Sequence, residues 1–519
     1  MAQEVKVQPG HGTAGRHPTR QFLDTLSGHD DPGMFGRMFP TLEPLAVDNG
    51  PLQELAGAMK DPNPGDPAGN NTKVPAGFTY LGQFVDHDIT LDLTSIREKE
   101  ADPNATENFR TPALDLDCVY GLGPDGSRQL YARNPPDFNG KGPGPRLLIG
   151  KTINLGPDPT GDHRNDLPRT PEGFALIGDH RNDENLVVAQ THLAMLKFHN
   201  KVCEDLKAKG VPAGEIFAQA RQTVSWHYQW MVLHDFVERI TEKGIVAKIL
   251  HQGRRFYRFK KTPYMPVEFS AAAYRFGHSM VREVYSHNRI FTPGGGIPAT
   301  LDLLFKFSGL SGSIIGDLAP NPPTGPLPIP VLSSNWIIDW RRYHEVLDAN
   351  PTGVTLNPSR KIDPFLIPQL HNLPGSSPGN PTSLAFLNLR RGVILGLPSG
   401  QDIAKAMKIK NPLTPAEISK GPDGAIAKKH GLHEQTPLWY YILKEAEQRG
   451  GGERLGPVGA TIVAEVFVGL VHGDQTSYLW LKGKDWKPTL PSKKPGEFTM
   501  ADLLRFVGDI SPIDSIATV

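Results

Sequence analysis

Cysteine is nearly missing: Cys118 and Cys203 are the only two in 519 residues, and they match no CxxC or zinc spacing. That excludes a disulfide framework, and both read as buried thiols. A surplus of one charge is missing too. The 55 Lys+Arg balance 55 Asp+Glu, which removes nucleic-acid and anionic-membrane binding as functions, since both need a basic excess. No apolar run is long enough for a membrane span; the best, residues 460–471, is short and carries Glu465. The first twenty residues, MAQEVKVQPGHGTAGRHPTR, lack a continuous apolar stretch, so a cleavable signal peptide of the usual kind is not expected. Cytoplasmic residence follows, or export by a route the N-terminus does not show. Alternating strand patterns are scarce, and no HExxH or comparable zinc-hydrolase set occurs.

Glycine and proline, by contrast, are plentiful. Gly 54 and Pro 49 make up about a fifth of the chain, against an average of about 12%. With 38% hydrophobic residues to fill a core, this predicts a folded protein with long loops. Residues 1–75 are rich in Pro, Gly, Asp and Asn, with one brief helical pattern near Leu52 to Met59, and read as an N-terminal arm wrapping the body. Residues 76–519 read as one large, mainly α domain with little β-structure. Helices are predicted over Glu184–Lys209, ending at Gly210, over Ala213–Ile240, Val267–Val281, Thr436–Gln448 and Gly459–Val471. The Pro-rich stretch at 317–332 is a connection long enough to cover a site or wrap the surface.

Four polar clusters interrupt the apolar patterning. In FTYLGQFVDHDITL, a helix places Asp86 and Asp88 on opposite sides of His87 while Gln83, four residues back, shares its face. GDHRNDEN at 178–185 opens the first long helix, which later shows FHN at 198–200. AYRFGHSM at 273–280 sets His278 in apolar surroundings, and LNLRR spans 387–391. Each alone is the pattern of a cap, a core histidine or a solvated basic pair. Together they supply what a haem peroxidase requires. One neutral imidazole must sit on the iron with its other nitrogen held by a partner; a second must accept and return the peroxide proton beside a cation.

GQFVDHD, IGDHRNDEN with HLAMLKFHN, AYRFGHSMV and LNLRR resemble, in that order, motifs of the animal-type haem peroxidases of the peroxidase-cyclooxygenase superfamily. The likeness spans about Phe78 to Leu479, and TPLWYYILKEAE resembles the family's bacterial members. The resemblance implies a single helical haem peroxidase domain. It makes His87 the distal acid-base, Arg181 its catalytic partner, His278 the iron ligand and Asn388 the residue holding the His278 Nδ1 proton. Gln83 matches the position linked to halide and water binding. Asp86 and Glu184 match carboxylates that form ester bonds to haem b, so covalent haem is expected; Asn185 stands where one member has a sulfonium-forming methionine. Arg275 and Arg391 match positions near the haem propionates. A duplicate GDHRND offers Arg164, but Pro168 breaks any helix there, whereas Arg181 leads into the long helix.

A second cofactor, Ca²⁺, is expected from TPALDLD. Thr111, Ala113, Asp115 and Asp117 alternate, so an extended loop points Thr and two carboxylates to one side, with Asp88 completing a hard oxygen set. The segment resembles the family's calcium loop, with Ala113 giving its carbonyl. The implied function is peroxidase: H₂O₂ oxidises the haem to a ferryl state, and phenols, other small donors or halides return the electrons. An amide on His278 leaves the iron more oxidising than a carboxylate would. The competing readings are a fatty-acid dioxygenase and a haem- and calcium-binding scaffold without turnover. The dioxygenase needs a tyrosine three residues before the proximal histidine. Arg275 holds that position, and on a helix Tyr274 is rotated away by about 100°.

Overall fold

The computed structural model describes residues 35–91, 108, 110–133, 143–152, 164–260, 262–293, 297–306, 331–373 and 383–515. The first half of the arm, residues 161–163 of the duplicate hexamer and residues 317–330 of the Pro-rich connection lie outside them. The described chain is mainly α, and its strands occur only as two-stranded pairs.

Seven helices frame the site: α1 (Asn49–Ala58), α2 (Gly77–Ile89), α3 (Leu186–Ala208), α4 (Ile216–Met231), α5 (Leu384–Ile394), α6 (Leu438–Gly450) and α7 (Pro457–Gly473). Helix α3 begins two residues later than its apolar spacing suggests, because the Asn185 side chain caps it by accepting the Val188 N–H. It ends before Gly210, whose φ of +77° is the left-handed turn that glycine adopts freely. Helices α2 and α4 pack on α3.

Two predicted helices are corrected. The stretch 213–240 is not uninterrupted: after α4 a wide π turn, Val232–Val237, intervenes before Glu238–Ile240. Such turns often sit at functional sites, and here Phe236 from the turn lies against Tyr274 and against Gly82 of α2, where an added Cβ would come within 3.0 Å of the Phe236 ring. The predicted helix 267–281 is instead one α turn, Val267–Ser270, followed by a 3₁₀ segment, Ala273–Met280; the backbone leaves the helical region at Ala272 (φ −136°, ψ −72°). A 3₁₀ segment repeats every three residues, so Arg275 and His278 fall on one face.

The buried Glu465 at the centre of α7 accepts the backbone N–H groups of Arg255, Phe256 and Tyr257, so the charge that interrupts the apolar run anchors a loop. No helix among the described residues is long and apolar enough to cross a membrane. Residues 35–75 are tied to the elements that carry the site. Phe35–Gly36 pairs in parallel with Met265–Pro266, Glu268 accepts the N–H groups of Met38 and Phe39, and α1 packs on α5. Both cysteines are free and buried.

Candidate active site

A cavity of about 380 Å³ is lined by Gln83, Asp86 and His87 from α2, by Arg181, Glu184 and Asn185 from the turn before α3, and by Arg275 and His278 from the 3₁₀ segment. A second cavity of about 230 Å³ shares Asp86, Arg181 and Arg275 with it and adds Asn388 and Arg391 of α5. The structure thus brings to two adjoining cavities every residue expected at the haem. Arg164, the rejected duplicate, is exposed and lines neither.

His87 is buried, and its Nδ1 lies 2.9 Å from Asn182 Oδ1. An amide oxygen only accepts, so the ring proton is on Nδ1 and the Nε2 lone pair is left for the cavity. Burial first, then the Arg181 charge, holds the pKa of His87 down at about 3, which keeps the imidazole a neutral base. Asn182 passes unremarked in the motif, yet it orients the ring; its Nδ2 in turn faces His192 Nδ1 at 3.0 Å. Arg181 is held by a fork on Asp179, with Nε–Oδ1 3.1 Å and Nη2–Oδ2 2.7 Å, and donates to the carbonyls of His87 and Thr90. Gln83 Oε1 accepts from Asn185 Nδ2 at 2.9 Å. This leaves the Gln83 amide hydrogens for a small ligand and gives Asn185 a role beyond capping α3.

The acids expected to carry the esters behave as desolvated carboxyls. Burial raises Asp86 despite Arg181 and Arg275, and burial raises Glu184 to about 7 despite Arg181. On the other side, burial and then Arg275 lower His278 to about 3, a neutral imidazole fit to bind a metal. Its Nδ1 meets Asn388 as expected, but the amide is reversed: Nδ2 lies 2.8 Å from Nδ1, while Oδ1 accepts from Arg275 Nη1 at 3.3 Å. Tyr274 is not turned away from the site as expected. It lines the cavity beside Arg275, with its hydroxyl donating to the Gly82 carbonyl at 3.0 Å.

The acidic cluster is real. Oxygens of Asp88, Asp115 and Asp117 lie within 4.8 Å of one another, all three residues buried. Asp88 Oδ1 and Asp117 Oδ2 have no hydrogen-bond partner. Burial and then Asp115 raise Asp88 to about 7. The loop is bent rather than extended as expected: the Ala113 N–H donates to the Thr111 carbonyl, and Leu116 takes a left-handed φ of 57°. The sharp turn at Leu116 starts a short helix at Asp117 and brings the Leu116 N–H to Asp88 Oδ2. Arg110, which the motif reading missed, joins the cluster to the cavity by binding Asp117 at 3.2 Å and Asp179 at 2.5 Å. Three carboxylates converging in a buried space, with two of their oxygens unpartnered, are a large cost unless a divalent cation offsets their charge.

The family model described as "Animal haem peroxidase" matches residues 92–487. The chain belongs to the animal haem peroxidase family. Mouse (Mus musculus) thyroid peroxidase is 25% identical over 403 residues, covering 72% of this chain and 39% of that protein. Heme peroxidase 2 of Caenorhabditis elegans is 24% identical over 399 residues, covering 72% and 50%. The chain therefore spans about half or less of the length of these relatives. Among solved structures, peroxidase A of Dictyostelium discoideum superposes with a TM-score of 0.63 at 16% identity, covering 99% of this chain and 98% of that one. The Oryza sativa fatty acid alpha-dioxygenase reaches 0.55 at 15% identity, covering 93% and 80%. These two establish the fold. The matched span begins after His87, so Gln83, Asp86 and His87 rest on their own motif and geometry.

Proposed function

We propose that the protein is a peroxidase that uses H₂O₂ to oxidise small organic donors such as phenols, and halides where the donor site admits them. The observation that carries this reading is one cavity lined by two neutral imidazoles from different elements, His87 and His278, with Arg181 beside the first. A bound haem supplies the redox chemistry. The donor set fits that group: His278 would hold the iron through Nε2, and Arg275 and Arg391 would face the propionates. Asp86 and Glu184 would form the esters. Ligation through Nε2 needs the ring proton on Nδ1, so Asn388 must turn its Oδ1 to that proton, which releases Arg275 for a propionate.

His87 Nε2 takes the peroxide proton and returns it to the departing oxygen while Arg181 stabilises the separating charge. Gln83 positions the small ligand. Ca²⁺ would be held by Asp88, Asp115 and Asp117, with Thr111 and the Ala113 carbonyl completing an oxygen shell. The dioxygenase reading has Tyr274 at the cavity in its favour, but that hydroxyl is committed to Gly82 and the expected radical position holds arginine. The test is direct. The purified protein shows a Soret band and peroxide-dependent oxidation of guaiacol; oxygen uptake with linoleate instead makes it a dioxygenase, and a Soret band with neither activity makes it a scaffold.

Ester bonds have their own check. Acidic acetone leaves pigment on the wild-type polypeptide and releases it from the Asp86→Asn, Glu184→Gln double variant; free extraction from the wild type contradicts the linkage.

A further inference from the structure

A row of phenols leads away from the cavity. Tyr80 lines it, on α2 with Gln83 and His87, and its hydroxyl donates to Tyr285 Oη at 2.7 Å. The Tyr285 ring stacks on Tyr343 with centroids 6.0 Å apart and planes at 19°. Tyr343 Oη is 2.8 Å from His287 Nδ1, and His287 Nε2 is 2.9 Å from the Trp336 carbonyl. A carbonyl only accepts, so the ring proton is on Nε2, and Tyr343 donates to a bare Nδ1 lone pair. All four side chains are buried.

Losing an electron makes a phenol a strong acid, so a hole settles where a base stands ready to take the proton. Tyr80 donates to another phenol, Tyr285 accepts from Tyr80 and from the Arg282 N–H, and Tyr274 donates to a carbonyl. Of these cavity-connected phenols, Tyr343 is the one paired with an imidazole. Tyr120 makes a similar pair with His199 at 3.1 Å, but its other ring contact leads to Phe217 and Tyr131, and it does not line the cavity.

We propose that Tyr343 and His287 form a radical store, reached through Tyr80 and Tyr285, that draws an oxidising equivalent out of the cavity when no donor is bound. The inference rests on the peroxidase reading. H₂O₂ takes two electrons and two solvent protons to become two waters; one electron comes from the haem and one from Tyr343. The Tyr343 O–H bond breaks, its proton stays on His287 Nδ1 as an imidazolium, and a reductant later returns the electron as the proton goes back. The pair therefore holds the charge locally without needing water.

The test is rapid-freeze high-field EPR of the haem-loaded protein mixed with H₂O₂ without donor. The expected wild-type signal is a phenoxyl radical with the lowered gx of a hydrogen bond to a cation. Tyr343→Phe cuts its yield at least fivefold and speeds peroxide inactivation several-fold, while guaiacol turnover is unchanged and Tyr120→Phe leaves the signal intact. Tyr285→Phe, which keeps the stacked ring, also lowers the yield and serves if Tyr343→Phe does not fold. Guaiacol turnover with no phenoxyl signal, or with one untouched in these variants, overturns the radical store alone. Wild-type protein that loads haem yet does not turn over guaiacol overturns the peroxidase reading, and the store with it.

Discussion

His87→Leu lowers the rate constant for the reaction with H₂O₂ by about 10²–10⁴-fold, the span that a positioned acid-base group contributes, while the Soret band of the resting protein persists. The His87 proton is fixed on Nδ1 by Asn182, its Nε2 lone pair is left for the cavity, and Arg181 is locked in a fork by Asp179. Leucine fills most of the volume and removes the base. Because burial holds the His87 pKa at about 3, loss of the His87 base contributes nothing to the pH profile near neutrality and lowers the wild-type rate only as pH approaches about 3, where the ring becomes protonated and can no longer accept. Stopped-flow absorbance across pH measures both. A rate for the His87→Leu variant within threefold of wild type removes His87 from the chemistry.

Removing Ca²⁺ is expected to cost both stability and rate. At a concentration 100-fold above its Kd, a cation that binds only the folded state contributes about 2.7 kcal/mol, so chelation lowers Tm and calcium restores it. The effect on rate follows from connection: Asp88 is next to His87 in α2, and Asp117 reaches Arg181 through Arg110 and Asp179. Losing the ion leaves buried oxygens of Asp88 and Asp117 without a partner on the network that positions His87 and Arg181. Asp117→Asn should show the same double loss. Identical Tm and turnover in EGTA and in calcium, with no metal by elemental analysis, would remove the site.

Much of this was legible in the chain because the chemistry is clustered locally. Gln83, Asp86, His87 and Asp88 lie within two turns of one helix, and one heptapeptide displays them. The partners that set their states come from far away. Asn182 meets His87 across 95 positions and Asn388 meets His278 across 110, and an asparagine inside GDHRND looks like any cap. Arg110 sits just before the calcium-loop motif, so its tie to Asp179 could not be read from spacing. The helix expected around His278 failed for a local reason: apolar periodicity does not separate a 3₁₀ segment from an α-helix over eight residues, and the break at Ala272 is a tertiary choice. The π turn after Met231 was hidden in the same way, since one wide turn barely disturbs the apolar stripe.

The most direct measurement is a haem titration of His278→Gly apoprotein, followed by optical and EPR spectra with and without added imidazole. The wild type is expected to bind one equivalent with a ferric high-spin signal; the variant loses this signal and its peroxide reaction, and free imidazole restores both. A variant with wild-type spectra and turnover in the absence of imidazole would contradict ligation by His278, and with it the site described above.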